Sequence, residues 1–183
     1  LREACRRTVE WQRGGRTDLR VAVNVSPRQF ERRDFVESVA ATLVETGLPP
    51  ACLELELTES VVMRDVRESA VRMEELRELG VSVAVDDFGT GYSSLSYLQR
   101  LPLTVLKIDR SFIRDLGRER GTLPVVRAIA GLAHNLGLTT VAEGVERPDE
   151  LDVLRELGVP LVQGYLLARP VPPDEVSFDV DVP

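Results

Sequence analysis

The chain has 183 residues, 43% of them hydrophobic, and a formal net charge of −7. That length fits one domain over 1–183 with a sizeable core, and the acidic balance argues against non-specific binding to a nucleic-acid backbone, so neither DNA nor RNA is expected as a partner. No run approaches the roughly 18 apolar residues of a membrane span and no charged-then-apolar leader opens the chain, which points to a cytoplasmic domain, in a parent protein that can itself be membrane-anchored.

Leu1, Cys5 and Val9, spaced four apart, predict an opening helix. A chain that starts on Leu1 and runs straight into a helix is expected to be part of a longer protein. Trp11 is expected to follow that helix and pack at the base of the fold. The first strand-like run is Val21 to Ser26 (VAVNVS). Phe35, Val36, Val39, Ala40, Leu43 and Val44 then recur at helical spacing up to Gly47, with Pro49 and Pro50 beyond. Leu53 to Ser60 (LELELTES) is the second strand. Val71, Met73, Leu76 and Leu79 lead to Gly80 and the third run, Val81 to Phe88 (VSVAVDDF). Val105 to Phe112 (VLKIDRSF) is the fourth. Val125, Ile129, Leu132 and Leu136 lead to Gly137 and the fifth, Thr139 to Glu146 (TTVAEGVE). Leu151, Leu154 and Leu157 lead to Gly158 and the last, Leu161 to Ala168 (LVQGYLLA).

This alternation implies an α/β fold with a parallel sheet and right-handed crossovers. Six strands fit either an open doubly wound sheet or a (β/α) barrel that lacks members at its N-terminal end. Polar residues late in all six runs favour the barrel, because an open sheet binds ligand mainly at one switch point. No GxGxxG or P-loop follows the first strand, which disfavours nucleotide binding of those types.

The late residues are Asn24, Glu56, Asp86, Asp87, Lys107, Glu143 and Gln163. A carboxylate inside a strand buried on both faces must point into a barrel mouth or bind something. Helix N-capping explains an Asp, Asn or Ser at a strand end, but not seven such residues together. Clustered acids supply hard oxygen ligands for Mg²⁺, Mn²⁺ or Ca²⁺, and a polyanionic substrate of an acidic protein needs such ions.

Asp86 and Asp87 open the segment DDFGTGYSS. Successive strand side chains face opposite ways, so the two acids serve one cluster only if the chain is already turning, and Phe88 to Gly91 are suited to that turn. In LELELTES the alternation puts Glu54 and Glu56 on one face, with Glu56 nearer the C-terminal end and Glu59 in the loop beyond. Lys107 stands in an apolar strand, where an unpaired ammonium is costly, so Asp86, Asp87 or Asp109 is expected beside it.

Six segments in this order, NVSPRQF, ELTES, DDFGTGYSSLSYL, LKIDRSF, AEGVE and QGYLLARP, resemble the signatures of EAL-type phosphodiesterases, which linearise cyclic diguanylate (cyclic di-GMP). The resemblance implies a (β/α)8 TIM-like barrel, N-terminally incomplete in this chain, that holds two Mg²⁺ or Mn²⁺ ions. By position, Asn24, Glu56 and Asp86 match ligands of the first ion, and Asp86, Asp87 and Glu143 ligands of the second. Lys107 matches a lysine beside the attacking water, Gln163 a glutamine holding the water and metal network, and Glu59 the glutamate that fixes the loop after Asp87. Gln29, Asp109 and Glu146 match substrate-side positions.

The family's Glu-Ala-Leu motif, with its metal-binding glutamate and a nearby phosphate-binding arginine, is absent from this sequence. The missing strand is expected in a longer parent domain, with domain swapping or a partner strand as other ways to complete the barrel. If it were truly lost, the reading of the chain would shift to a receptor or scaffold that binds cyclic di-GMP or a partner domain without cleaving it. The resemblance also implies a homodimer through Tyr92 to Arg100 and the helix after Phe112, and sensory or GGDEF-type domains upstream. His134 is expected at a surface or helix end, Met63 and Met73 in the core, and Cys5 and Cys52, far apart and without a CxxC partner, as small buried hydrophobes.

Overall fold

The computed structural model describes residues 1–89, 98–116 and 121–178. The chain divides into two compact units, Leu1–Val85 with Ser93–Thr104, and Asp86–Tyr92 with Val105–Pro183.

The first unit opens with α1 (Arg2–Arg13), whose buried Cys5, Thr8 and Val9 follow the predicted helical stripe. Trp11 lies within this helix rather than after it, and is half-buried. Strand β1 (Val21–Asn24), the short α2 (Pro27–Phe30) and α3 (Phe35–Thr46) follow. Helix α1 packs on α3, and Arg2 pairs with Glu45 across them at 2.9 Å. α3 stops where Gly47 turns left-handed at φ 74° and donates its N–H to the Leu43 carbonyl. The unit continues with β2 (Leu53–Thr58), α4 (Glu59–Arg64), α5 (Val66–Glu78) and the first part of β3 (Ser82–Phe88). β1 and β2 are parallel, in a register that sets Val21 opposite Leu53 and Asn24 opposite Glu56.

The second unit holds the end of β3, β4 (Val105–Ile108), α6 (Arg110–Ile113), α7 (Leu123–Asn135), β5 (Thr139–Glu143), α8 (Pro148–Glu156) and β6 (Leu161–Gln163). β4 pairs with β5 and β5 with β6, both in parallel, and Glu143 lies opposite Gln163. All four residues of β4 are buried, as expected of a parallel strand covered on both faces.

Several expected core residues lie outside the core. Val44, Val71 and Val125 are 85%, 56% and 42% exposed. The buried stripes run through Phe35, Val39, Thr42 and Leu43 in α3, through Ser69, Met73 and Leu76 in α5, and through Val126, Ile129, Ala130 and Ala133 in α7. At about 100° per residue, each exposed valine falls well off its stripe. Met73 is fully buried but Met63 only partly, because α4 turns Val61 and Val62 inward in its place. Cys5 is buried and Cys52, in a short 3-10 turn before β2, is half-buried. His134 is exposed in the last turn of α7, as expected.

Candidate metal centre

The second unit brings three carboxylates together. One ligand atom each from Asp86, Asp87 and Glu143 lies within 4.8 Å of the other two. Adjacent strand residues face opposite ways, and the backbone of Asp87 resolves the difficulty: its φ is +55°, the only left-handed non-glycine among the described residues. This turn carries the Asp87 carboxylate round to the side of Asp86, and the Asp87 N–H donates to Asp86 Oδ1 at 2.9 Å. The turn thus occurs one residue earlier than Phe88 to Gly91. Thr90 and Gly91 lie outside the described residues, as does most of the expected dimer segment, Tyr92 to Tyr97.

Lys107, 3% exposed in the middle of β4, points into this cluster. Its ammonium lies 2.5 Å from Glu143 Oε1 and 3.5 Å from Asp86 Oδ1. Asp86 was anticipated as a neighbour; Glu143, the nearer partner, was not. No local signal points to it, because Glu143 lies 36 positions further along the sequence, on β5.

Burial pushes the Glu143 carboxyl above its ordinary value, against the pull of Lys107. Burial also raises Asp87, reinforced by the charges of Asp86 and Asp109. Asp109 caps α6, accepting the Ser111 N–H at 2.9 Å, and is hydrogen-bonded to Asp87. Its own burial works to raise it, but the hydrogen bonds from Ser111, Arg110 and Asp87 prevail and hold it low. Capping and a place beside the acids are therefore combined in this one residue. Three half-buried carboxylates, two of them resisting ionisation, form an oxygen-donor set that a divalent cation would relieve, so the residues present fit a metal.

Glu146 follows Glu143 by three residues, and Gln163 neighbours Glu143 across the sheet. Gln163 is exposed, in register with Glu143, and its carbonyl accepts the Val145 N–H. Glu146 is exposed, and its backbone N–H is held by Glu150 Oε2 at 2.9 Å.

In the first unit, Asn24, the last residue of β1, lies opposite Glu56, two residues before the end of β2, with Asn24 exposed and Glu56 6% exposed. Glu59 is buried, at 5%, and it opens α4 instead of lying in a loop, because the helix starts directly after Thr58. Gln29 has a local structural role: its Oε1 accepts from the Ser26 N–H and hydroxyl in a capping box that starts α2. Arg72 fixes the other end of α2, donating to the carbonyls of Phe30 at 2.7 Å and Glu31 at 3.3 Å.

Parallel strands alternating with helices, with acids late in the strands, define a β/α protein with a carboxylate cluster that fits a metal ion. A family model described as the EAL domain matches residues 1–170. MucR of Pseudomonas aeruginosa, a bifunctional diguanylate cyclase/cyclic di-GMP phosphodiesterase, is 46% identical over 180 residues, which are 98% of this chain and 26% of MucR. NbdA of the same organism, a cyclic di-GMP phosphodiesterase, is 48% identical over 172 residues, 94% of this chain and 22% of NbdA. The solved complex of PaMucR phosphodiesterase with cyclic di-GMP matches with a TM-score of 0.91 at 46% identity, covering 95% of this chain and 70% of that one. A manganese and cyclic di-GMP complex of Klebsiella pneumoniae BlrP1 matches with a TM-score of 0.82 at 32% identity, covering 91% and 42%. The chain belongs to the EAL domain family. Its fold is accordingly the (β/α)8 TIM-like barrel, of which the chain carries six strands, and it spans 20–26% of the length of the first curated relatives it matches.

Proposed function

We propose that this chain is the catalytic part of a phosphodiesterase that hydrolyses one phosphodiester of cyclic di-GMP to the linear dinucleotide pGpG, with two Mg²⁺ or Mn²⁺ ions. The observation that carries the reading is the convergence of Asp86, Asp87 and Glu143 on one point with Lys107 buried among them. Relatives that cleave cyclic di-GMP, and a neighbouring structure that holds manganese with it, support the same chemistry.

In this reading Asp86, Asp87 and Glu143 are metal ligands from the second unit, and Asn24 and Glu56 are those of the first. When bound, a pair of divalent ions would lower the pKa of a bound water and stabilise the entering and leaving oxygens of a displacement at phosphorus. Lys107 orients Glu143 and Asp86 and supplies a positive charge next to the attacking water. Gln163 helps order that water, and Glu59 keeps the role that the family resemblance implies for it. Asp109 and Glu146 sit on the substrate side, and so does Gln29, through the part of its amide outside the capping box.

The reading extends to the whole protein as a cytoplasmic, homodimeric module with sensory or GGDEF-type domains elsewhere in the chain. Among the described residues no helix is long and apolar enough to cross a membrane.

The deciding experiment is hydrolysis of cyclic di-GMP by the parent domain with Mg²⁺ or Mn²⁺, alongside Glu56→Ala and direct ligand binding. Metal-dependent linear product that disappears in Glu56→Ala supports the enzyme. Tight binding without product replaces it with a receptor.

A further inference from the structure

The loop after β5 is held from several sides, all within the second unit. Gly144 passes so near α6 that a Cβ on it would lie 2.5 Å from Arg110 Cβ. Val145, fully buried, donates to the Gln163 carbonyl at 3.1 Å and accepts the Leu166 N–H at 3.0 Å. A Cβ on Gly164 would overlap the Val145 backbone, so these loops fit together only without one.

Beyond Val145 the hold becomes electrostatic. Glu150, 2% exposed, accepts the backbone N–H groups of Glu146 and Arg147 at 2.9 and 3.1 Å through one oxygen. Its other oxygen lies 3.2 Å from Arg147 Nη1. Arg147 also forks onto Asp149 at 2.8 and 2.9 Å. It reaches back to the carbonyls of Arg114 at 3.4 Å and Leu116 at 3.2 Å, which end the segment that Asp109 begins. Carbonyls at a helix end have no intrahelical partner, and a planar guanidinium with five donors can serve them and two carboxylates together. None of these contacts involves the three clustered acids.

We infer that Arg147, seated on buried Glu150, is a positioning residue for the acidic centre. It ties the segment 144–147 to the chain that follows α6, and so fixes Glu143 and Glu146 relative to Asp109. The inference rests on the proposed function in one respect, that Glu143 is a metal ligand.

Lys107 offers a test independent of turnover. The only lysine among these 183 residues, and in contact with Glu143, it gives a side-chain ammonium signal under selective ¹⁵N-lysine labelling of the parent domain that is assigned by its loss in Lys107→Met. Arg147→Ala is expected to move that signal in the metal-free protein. It should also raise the Mg²⁺ concentration that half-saturates the response of the signal by about tenfold to a hundredfold, the range for residues that orient ligands. Arg147→Lys, which keeps the charge but lacks the fork, should recover only part of this. Arg155→Ala, which removes the exposed pair with Asp152 on the same helix, should leave both readouts unchanged. The inference is overturned if Arg147→Ala matches Arg155→Ala in both readouts. Should Arg147→Ala fail to fold, wild-type behaviour of Arg147→Lys in both overturns it instead. A wild-type signal that ignores Mg²⁺ would count against the proposed function, while a metal-free displacement in the Arg147 variants would leave the positioning role standing.

Discussion

Lys107 Nζ and Glu143 Oε1 lie 2.5 Å apart, one from the centre of β4 and the other from the last residue of β5. The lysine is buried and Glu143 half-buried, the second acid is Asp86 at 3.5 Å, and the pair joins two motifs separated by 36 positions of sequence. An ammonium buried to 3% exposure is costly without partners, and these two acids offset that cost.

Removing the lysine should therefore harm both folding and chemistry. Lys107→Met leaves Asp86 and Glu143 without their cation and is expected to destabilise the metal-free protein by about 3–5 kcal/mol, the usual cost of breaking a buried pair. Lys107→Met with Glu143→Gln should recover part of that loss. Urea melts of the two variants and wild type provide the comparison. Hydrolysis by Lys107→Met should fall by about 10²–10³-fold, the scale of a lost preorganised electrostatic group.

Asp87 is held at φ +55°, a conformation that Asn tolerates and β-branched residues do not. Asp87→Asn should melt within a few degrees of wild type while losing Mg²⁺ affinity. Asp87→Val should lose the same affinity and in addition about 1–3 kcal/mol of stability from backbone strain. Equal melting of the two variants would argue that the turn relaxes freely.

The acids predict a definite pH response. Asp87 and Glu143 are raised in the folded state, so the folded protein keeps protons that the unfolded chain has already released. Their contribution to stability is complete below the ordinary carboxylate pKa and is lost as pH climbs through the raised values. Asp109, held low, does the opposite, stabilising above the ordinary value and losing that contribution as pH falls through its lowered one. Metal ligands must be ionised, so the melting-temperature gain from Mg²⁺ should grow with pH across the raised range. Thermal melts with and without Mg²⁺ at several pH values would show this, and a gain independent of pH would contradict it.

Gly144→Ala should be costly in two ways. Its φ of 68° disfavours any Cβ, and the added carbon would meet Arg110 Cβ at 2.5 Å. A loss of about 1–3 kcal/mol from backbone strain is expected, together with weaker Mg²⁺ binding at the neighbouring Glu143. Gly137→Ala has the same strain, with φ at 70° and open space around it, so it should lower stability without the effect on Mg²⁺.

Much of this protein was legible residue by residue. Strand and helix periodicity, glycine stops and the polar endings of the strands are local properties, dictated by backbone sterics and by which side chains tolerate burial. They sufficed to place Asn24, Glu56, Asp86, Asp87, Lys107, Glu143 and Gln163 in the later part of their strands, and the order of six motifs marked the family. What sequence missed depended on direction and register. Val44, Val71 and Val125 are apolar, yet each helix buries only a narrow stripe. Asp87 joins Asp86 because one dihedral is left-handed, and no spacing rule encodes a single dihedral. Glu143 is the nearest acid to Lys107, and Arg147 reaches Arg114 and Leu116, through packing between segments far apart along the chain. Local chemistry thus determined which residues could act, and tertiary structure decided their partners, because a contact a few ångströms long depends on the register and orientation of two elements at once.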